Sequence, residues 1–301
     1  MTGSPATGAL PGVPEIRFYL PAERLRPLVT SYYFLESAGP LADFTHPEWA
    51  NIRFALEGVW TFEDGDKDVI EPSRAALFGP TDRARRFMTD GGLVLGVGLT
   101  PIGWLTLIGS DASDIANLIV PLDRQLGISG PAIHARLAEA PDDPARVAIL
   151  DAILGARPPS QSAYCEMAIQ VQSALLSGAI DQVGDLAEQL GIEQRTLHRV
   201  CTSVFGFPPV RLLRRQRFLR TLGKVRDQLD QPLGQLIDSA YYDQAHFNRD
   251  FKASMGMTPL AYFRLPREAM RRAAEERRRV LGAPVQGLHV EQARTVQRDQ
   301  G

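Results

Sequence analysis

The sequence predicts an α+β protein: an N-terminal small β-barrel or sandwich with helices, followed by a C-terminal all-α domain of two helix-turn-helix units. Three observations lead to this fold class. Short apolar segments separated by turn residues occupy residues 16–99, as in a small barrel or sandwich. One helical pattern occurs twice between residues 182 and 264. The charges also divide between the two halves of the chain.

The charge split is large although the net charge is only −2. Residues 1–194 contain 13 Lys and Arg against 25 Asp and Glu, a net charge of −12. Residues 195–301 contain 20 against 10, a net charge of +10. Because a basic region is attracted to phosphate and an acidic region is repelled by it, the split suits a C-terminal part that binds nucleic acid.

Seven segments of the N-terminal half are predicted strands. They share β-branched or aromatic residues between turn residues, and they are 16–20, 31–36, 51–56, 59–62, 74–78, 86–88 and 93–99. Short helices are expected at 22–29, 103–108, 112–117, 122–125, 130–138 and 143–154. The stretch Arg157-Pro158-Pro159-Ser160 is the best linker in the chain.

The first copy of the repeated pattern spans Val183–Val200 and predicts a helix, a tight turn and a second helix. Gly191 provides the turn, because glycine adopts a left-handed conformation without a Cβ clash. The second helix begins near Glu193, and its predicted outward face carries Gln194, Arg195, His198 and Arg199. Such a helix can lie in the major groove, where Arg pairs with guanine and Gln pairs with adenine.

The second copy spans Leu233–Phe251 and repeats this plan fifty residues later. The paired positions are Leu197 with Phe247, Arg199 with Arg249, Gly206 with Gly256 and Pro209 with Pro259. Its predicted outward residues are Gln244, Ala245, Asn248 and Arg249. Two such helices on one body enter successive major-groove segments if they lie about 34 Å apart.

Residues from about Ser162 to Arg264 resemble the DNA-binding domain of the AraC/XylS family of bacterial transcription regulators. In the first unit the resemblance rests on Leu186, Ala187, Gly191, Arg195, Thr196, Leu197 and Arg199, followed by Gly206 and Pro209. In the second it rests on Tyr241, Asp243, Gln244, His246, Phe247, Arg249, Phe251, Lys252, Gly256, Pro259, Tyr262 and Arg264. The resemblance implies a long helix at 210–228 that joins the two units. Leu236, Ala240 and Cys201 depart from the family pattern.

The N-terminal half is similar, through scaffold segments, to the β-barrel domain that precedes the DNA-binding domain in an AraC-like subgroup. These segments are Gly79-Pro80-Thr81, residues 96–101, Trp104 and Val120-Pro121-Leu122. In that family such domains bind a small effector, dimerise, or do both. No ligand residue carries over from the resemblance. His46, Trp49 and Arg53 can line a pocket, but we favour ordinary core or surface roles for them.

These patterns divide the chain into five parts. They are a disordered N-terminus (1–14), a β-rich sensor or dimerisation domain (15–157), a linker (158–161), a DNA-binding domain (162–266), and a charged helical extension with a disordered tail (267–301). The charged extension is expected to be solvated, with disorder from residue 282 onward.

Metal, redox and membrane functions find no support in the sequence. Cys165 and Cys201 lie among apolar helical residues, which favours buried thiols over a disulfide. No spacing of Cys and His indicates a metal site, and no cofactor is expected. The N-terminus lacks the features of a signal peptide, and no apolar run reaches transmembrane length. We therefore expect a cytoplasmic protein with no membrane partner.

The sequence predicts a sequence-specific DNA-binding transcription regulator, an activator or a repressor, and not an enzyme. Its candidate partners are double-stranded DNA, a small-molecule effector, RNA polymerase and a second copy of the chain. One alternative is an enzyme with a catalytic N-terminal domain, although the chain has no triad spacing, Gly-rich phosphate loop or paired-carboxylate motif. Another is a protein-interaction adaptor that has lost DNA affinity, which Leu236 and Ala240 would explain.

Overall fold

The structure is a computed structural model that describes residues 13–64, 68–123, 125–160, 162–227 and 241–288. The described part of its N-terminal domain contains ten strands: β1 Glu15–Tyr19, β2 Val29–Ser37, β3 Leu41–Thr45, β4 Asn51–Ala55, β5 Trp60–Asp64, β6 Asp68–Ile70, β7 Ala75–Phe78, β8 Arg85–Thr89, β9 Gly92–Leu99 and β10 Ile119–Pro121. They form a six-stranded sheet, β1-β2-β9-β4-β7-β10, and a four-stranded sheet, β3-β8-β5-β6. The strand pairs are antiparallel.

The six-stranded sheet is covered on both faces. Along β4, side chains alternate, so that Ile52 and Phe54 enter the main apolar core while Asn51 and Arg53 face the space between the sheets. That main core is covered by the helices of the N-terminal domain. The space between the sheets is bounded by a second apolar cluster that includes Trp60 and draws on both sheets. The domain therefore has a helical layer on one side and a β-sandwich on the other.

The helices of the N-terminal domain begin at polar caps. They are α1 Pro101–Gly103, which continues as a π-helical turn at Trp104–Ile108, α2 Gly130–Glu139 and α3 Asp143–Gly155. The side chains of Thr100, Ser129 and Asp142 each accept a hydrogen bond from a backbone N–H of the first turn. A proline in each first turn supports the same starting point.

Several predicted short elements differ from the structure. The helix predicted at 22–29 is a 3-10 turn at Glu23–Leu25, because Val29 already belongs to β2. The helix predicted at 112–117 is a 3-10 turn at Ala112–Ile115, and the described residues of 122–125 are not helical. Strands β3, β6 and β10 were not predicted. β6 and β10 are only three residues long, so each is too short to show an alternating pattern.

The C-terminal part contains seven described helices. They are α4 Cys165–Ser177, α5 Val183–Leu190, α6 Gln194–Phe205, α7 Pro209–Asp227, α8 Gln244–Met255, α9 Pro259–Phe263 and α10 Glu268–Leu281. Helices α5 and α6 form the first unit, with Gly191 at a φ of 63° in the turn. Gly206 and Gly256 end α6 and α8 in the same left-handed conformation. The part of the second unit that contains Leu236 and Ala240 lies outside the described residues.

The charged extension forms a helix with one solvated face of ion pairs, but its other face folds back on the N-terminal domain. The disorder expected from residue 282 is wrong for residues 282–288. Ala269 and Ala274 of α10 are buried, and the amide of Met270 donates to the buried carboxylate of Asp43 in β3. Gln286 is buried beyond the helix and donates to the carbonyls of Ala50 and Leu99. The small residues let α10 approach the sheet closely. Residues 1–12 and 289–301, both predicted to be disordered, lie outside the described residues.

Candidate functional site

The outer face of α6 carries the four predicted DNA-contacting residues of the first unit. Gln194, Arg195, His198 and Arg199 are all exposed, while Leu197 on the opposite side is fully buried. The helical spacing separates these two faces, as the sequence pattern predicted. The guanidinium of Arg199 lies 5.8 Å from the ring centre of Tyr164 at the start of α4. Arg195 therefore projects more freely than Arg199.

The outer face of α8 carries the corresponding residues of the second unit. Gln244, Ala245 and Arg249 are exposed, and Asp243 caps the helix by accepting a hydrogen bond from the amide of His246 at 2.6 Å. Asn248 differs from the prediction of an outward side chain, because it is half-buried. Its amide oxygen is buried without a hydrogen-bond partner among the described residues.

The position of α8 depends on Asp250, which the sequence analysis did not single out. Its buried carboxylate lies 3.2 Å from Arg217 and 3.4 Å from Arg214, both on the joining helix α7. His246 lies 3.9 Å from the same carboxylate. Asp250 therefore holds the second DNA-facing helix against α7. The sequence feature that could have predicted this role is an acidic residue next to Phe251 on the buried, otherwise apolar face of the helix.

The first helix-turn-helix unit is packed directly against the N-terminal domain. The Trp49 ring meets the Phe205 ring of α6 edge to face, with centroids 5.5 Å apart. The guanidinium of Arg215 in α7 stacks over Trp49 at 3.7 Å, and its Nη1 donates to the carbonyls of Glu48 and Thr81. Burial lowers the pKa of Arg215 to about 9. Trp49 is thus an interdomain core residue, as the sequence analysis favoured.

The second unit has its own connection to the N-terminal domain. His46 Nε2 lies 2.7 Å from the hydroxyl oxygen of Tyr262 in α9, and both side chains are buried. The amide of Ala84 donates to the carbonyl of Ser254 at the end of α8. Residues 46–53 therefore touch both helix-turn-helix units within one short stretch of chain.

The same stretch borders a cavity of about 150 Å³ between the two sheets. Aromatic side chains form much of its wall: Phe18, Trp60, Phe62, Phe78 and Phe87. Helix α10 and residues 284–286 close one side of it. Space of this size accommodates on the order of ten waters, or a ligand of similar size. The cavity has the apolar walls and few polar groups that are typical of small-molecule sites.

A buried ionic network forms the polar part of this wall. Arg53 in β4 donates to Glu48 at 2.5 Å and to the Tyr33 hydroxyl at 2.8 Å, and its guanidinium lies 4.2 Å from the Phe78 ring centre. Gly96 faces Tyr33 across the strands, where a Cβ would lie 2.0 Å from the Tyr33 ring. Burial raises the pKa of Glu48, and the nearby Arg53 opposes that rise.

His46 and Arg53 are therefore cavity-lining residues, and the sequence analysis was wrong to favour ordinary roles for them. The sequence could not show this, because a lone His and Arg in a strand region have no pattern that marks a pocket. Within the described ranges, no group of three or more His, Cys, Asp or Glu could hold a metal ion. None of the helices described above is long and apolar enough to cross a membrane.

Comparison with known proteins identifies the C-terminal region. Residues 186–265 match the family described as a helix-turn-helix domain. No curated protein is similar to the chain in sequence. Among solved structures, ToxT from Vibrio cholerae is 10% identical, with a TM-score of 0.44 over 83% of this chain and 97% of that chain. An unsaturated fatty acid bound ToxT from Vibrio cholerae is 11% identical, with a TM-score of 0.41 over 75% and 95%.

A third solved structure is the AraC-like transcriptional activator CuxR, which is 14% identical. Its TM-score is 0.23 over 70% of this chain and 88% of that chain.

Proposed function

We propose that a small molecule in the N-terminal cavity modulates the DNA binding of this chain. The premise is that the chain is a DNA-binding transcription regulator whose C-terminal region is an AraC-type helix-turn-helix domain. The observation that carries the DNA-binding assignment is the match of residues 186–265 to the helix-turn-helix family. The cavity and the contacts that residues 46–53 make with both units support the ligand response.

The exposed faces of α6 and α8 are the proposed DNA-contacting surfaces. We assign base contacts to Gln194, Arg195, His198 and Arg199 in the first unit, and to Gln244, Ala245, Asn248 and Arg249 in the second. Arg195 is the best candidate for a bidentate guanine contact, because it is exposed and forms no ion pair among the described residues. Asn248 needs a side-chain rearrangement to reach a base, because its amide oxygen is buried.

The stretch 46–53 is the proposed route between ligand and DNA. Glu48 and Arg53 face the cavity, Trp49 packs on the first unit, and His46 contacts the second. A ligand that displaces or orders this stretch therefore acts on both units. Ligand binding shifts DNA affinity only if the ligand prefers one arrangement of these contacts over another.

RNA polymerase and a second copy of the chain remain predicted partners. The N-terminal domain is assigned no catalysis, and substrate turnover by the purified protein would contradict that. The fatty acid named for one ToxT structure is a ligand of that protein. For this chain it is one compound to test in the cavity.

DNA binding is tested with the purified full chain and the DNA upstream of its own coding sequence. Affinity for this fragment and for a scrambled fragment is measured across a salt series. We expect preference for the upstream fragment and a steep negative slope of log affinity against log salt, because phosphate contacts release counterions. Absence of binding to any DNA at low salt would contradict the proposal and favour the adaptor reading.

Arg195→Ala tests base readout by α6. A guanine-contacting Arg contributes roughly 1–3 kcal/mol of discrimination at its base pair. We expect Arg195→Ala to relax preference at one or two positions of the binding site, measured with base-substituted fragments. The matched control is Arg279→Ala, which removes an exposed arginine of α10 that is paired with Glu276. An equal loss of affinity on all fragments would make Arg195 a phosphate contact.

A further inference from the structure

Arg277 is a buried cation on the wall of the cavity that forms no close ion pair among the described residues. It belongs to α10, lines the cavity and is only 6% exposed. Its Nη1 donates to the hydroxyl of Ser31 at 3.1 Å. Its Nε and Nη2 are buried and have no hydrogen-bond partner among the described residues. A buried guanidinium with two nitrogen atoms that lack a hydrogen-bond acceptor lowers the stability of the fold, unless another group accepts hydrogen bonds from them.

The nearest carboxylate does not meet this need. Glu48 lies in the same wall and attracts Arg277 electrostatically, but its carboxylate bonds to Arg53 at 2.5 Å and makes no contact ion pair with Arg277. Arg53, Arg277 and Glu48 together leave this part of the wall with an excess of one positive charge. Burial lowers the pKa of Arg277 to about 10, so the group still carries its charge at neutral pH.

Other buried arginines do not share this setting. Arg215 also has nitrogen atoms without partners, but it lies flat on the Trp49 ring in a packed interface and does not line the cavity. The Phe18 ring centre is 5.5 Å from the Arg277 guanidinium, a longer contact than the 3.7 Å of that stack. Arg277 therefore combines burial, idle donors and open space in front of them.

The rest of the cavity determines what kind of anion fits. Trp60, Phe62 and Phe87 supply an apolar wall, and the exposed members of the lining, Val59 and residues 71–74, mark where the cavity reaches solvent. A ligand that enters there meets apolar and aromatic side chains as well as the guanidinium. An acidic group with an aromatic or other apolar body matches these two kinds of surface.

We propose that the cavity binds a small organic acid with an aromatic or other apolar body, and that Arg277 pairs with its acidic group. The ligand thereby ties α10 to the β-sandwich. Helix α10 follows the second helix-turn-helix unit, and Arg267 at its start stacks on Tyr262 and Phe263 at 4.8 and 4.9 Å. The ligand therefore acts on the DNA-binding domain from its C-terminal end as well. This regulatory consequence rests on the ligand response proposed above.

The test compares an acid with its neutral isostere. Binding of naphthalene-2-carboxylate and naphthalene-2-carboxamide to the full chain is measured by isothermal titration calorimetry at neutral pH. We expect the acid to bind about tenfold to a hundredfold more tightly than the amide, as charge-assisted hydrogen bonds imply. Equal binding of the two compounds, or no binding of the acid at millimolar concentration, would overturn the proposal.

Substitutions on one helix assign the acid group to Arg277. We expect Arg277→Met to remove the preference for the acid, Arg277→Lys to keep part of it, and Arg279→Met to leave it unchanged. Arg279 is the matched control, because it lies on the exposed face of α10 and pairs with Glu276. Thermal melting of each variant checks that it is folded. An Arg277→Met protein that is folded and still prefers the acid would refute the assignment.

DNA affinity measured with and without the acid separates this inference from the regulatory one. Acid binding through Arg277 without any change in DNA affinity supports the anion site and contradicts the ligand response. A change in DNA affinity that persists in Arg277→Met supports the response and contradicts the anion site.

Discussion

Two walls of the N-terminal cavity each carry a buried arginine, and the two are held in opposite ways. Arg53 on β4 donates to a carboxylate and a phenol and lies against the Phe78 ring. Arg277 on α10 has one hydroxyl partner and two idle nitrogen atoms. Arg53 has its partners within the protein, so its charge contributes to the stability of the fold. Arg277 has nitrogen atoms without partners among the described residues, so its charge is available to a ligand and lowers the stability of the ligand-free protein.

The largest expected effect on the free energy of unfolding comes from replacing Arg53, the arginine that has a carboxylate partner. Arg53→Met leaves the half-buried carboxylate of Glu48 without its ion-pair partner, so we expect the free energy of unfolding to fall by about 3 kcal/mol, measured by chemical denaturation. Adding Glu48→Met to this variant removes the unpaired carboxylate, so the double variant should regain most of the lost stability. If Arg53→Met is as stable as the wild type, the pair is not structural and the contrast between the two walls disappears.

Arg277→Met should behave differently in the ligand-free protein. It removes the hydrogen bond to Ser31 but also removes a buried cation with idle donors. Replacing an unsatisfied buried charge with an apolar side chain is commonly neutral or stabilising, so we expect the free energy of unfolding to rise by about 1 kcal/mol or stay unchanged. The same denaturation experiment measures it. A fall comparable to that of Arg53→Met would show that Arg277 serves the fold.

The effect that is smallest at neutral pH concerns Cys201, which is buried and has no ionic partner among the described residues. Burial raises the pKa of its thiol to about 12 from an ordinary value of 9.0. Above pH 9 the unfolded chain therefore loses this proton while the folded protein keeps it, and stability falls as pH rises toward 12. At pH 10 this loss of stability is about 1.4 kcal/mol.

Cys201→Ala isolates this contribution. The variant should lose that much less stability than the wild type between pH 8 and pH 10, in parallel denaturation curves. Identical pH dependence of the two proteins would mean that the thiol is not held in a dry environment.

Local patterns predicted the DNA-binding region well. Helix α6 begins one residue after the predicted Glu193, and Gly191 adopts the left-handed conformation where the turn was expected. The joining helix α7, which the resemblance implied at 210–228, lies within one residue of those bounds. The exposed residues of α6 follow from helical spacing alone. Asn248 is the exception, because its partial burial depends on neighbours that spacing does not show.

The sequence by itself determined the α+β class, the paired helix-turn-helix units and their outward faces, because periodicity, capping and turn residues act over a few positions. Only the tertiary structure decided that α10 packs on β1 and β3, that Arg53 donates to Glu48 and Tyr33, and that Arg277 donates to Ser31 beside the Phe18 ring. The reason is that burial and pairing depend on which distant segments meet. Helix α10, a charged helix in sequence, has one solvated face of ion pairs and one face that closes a cavity.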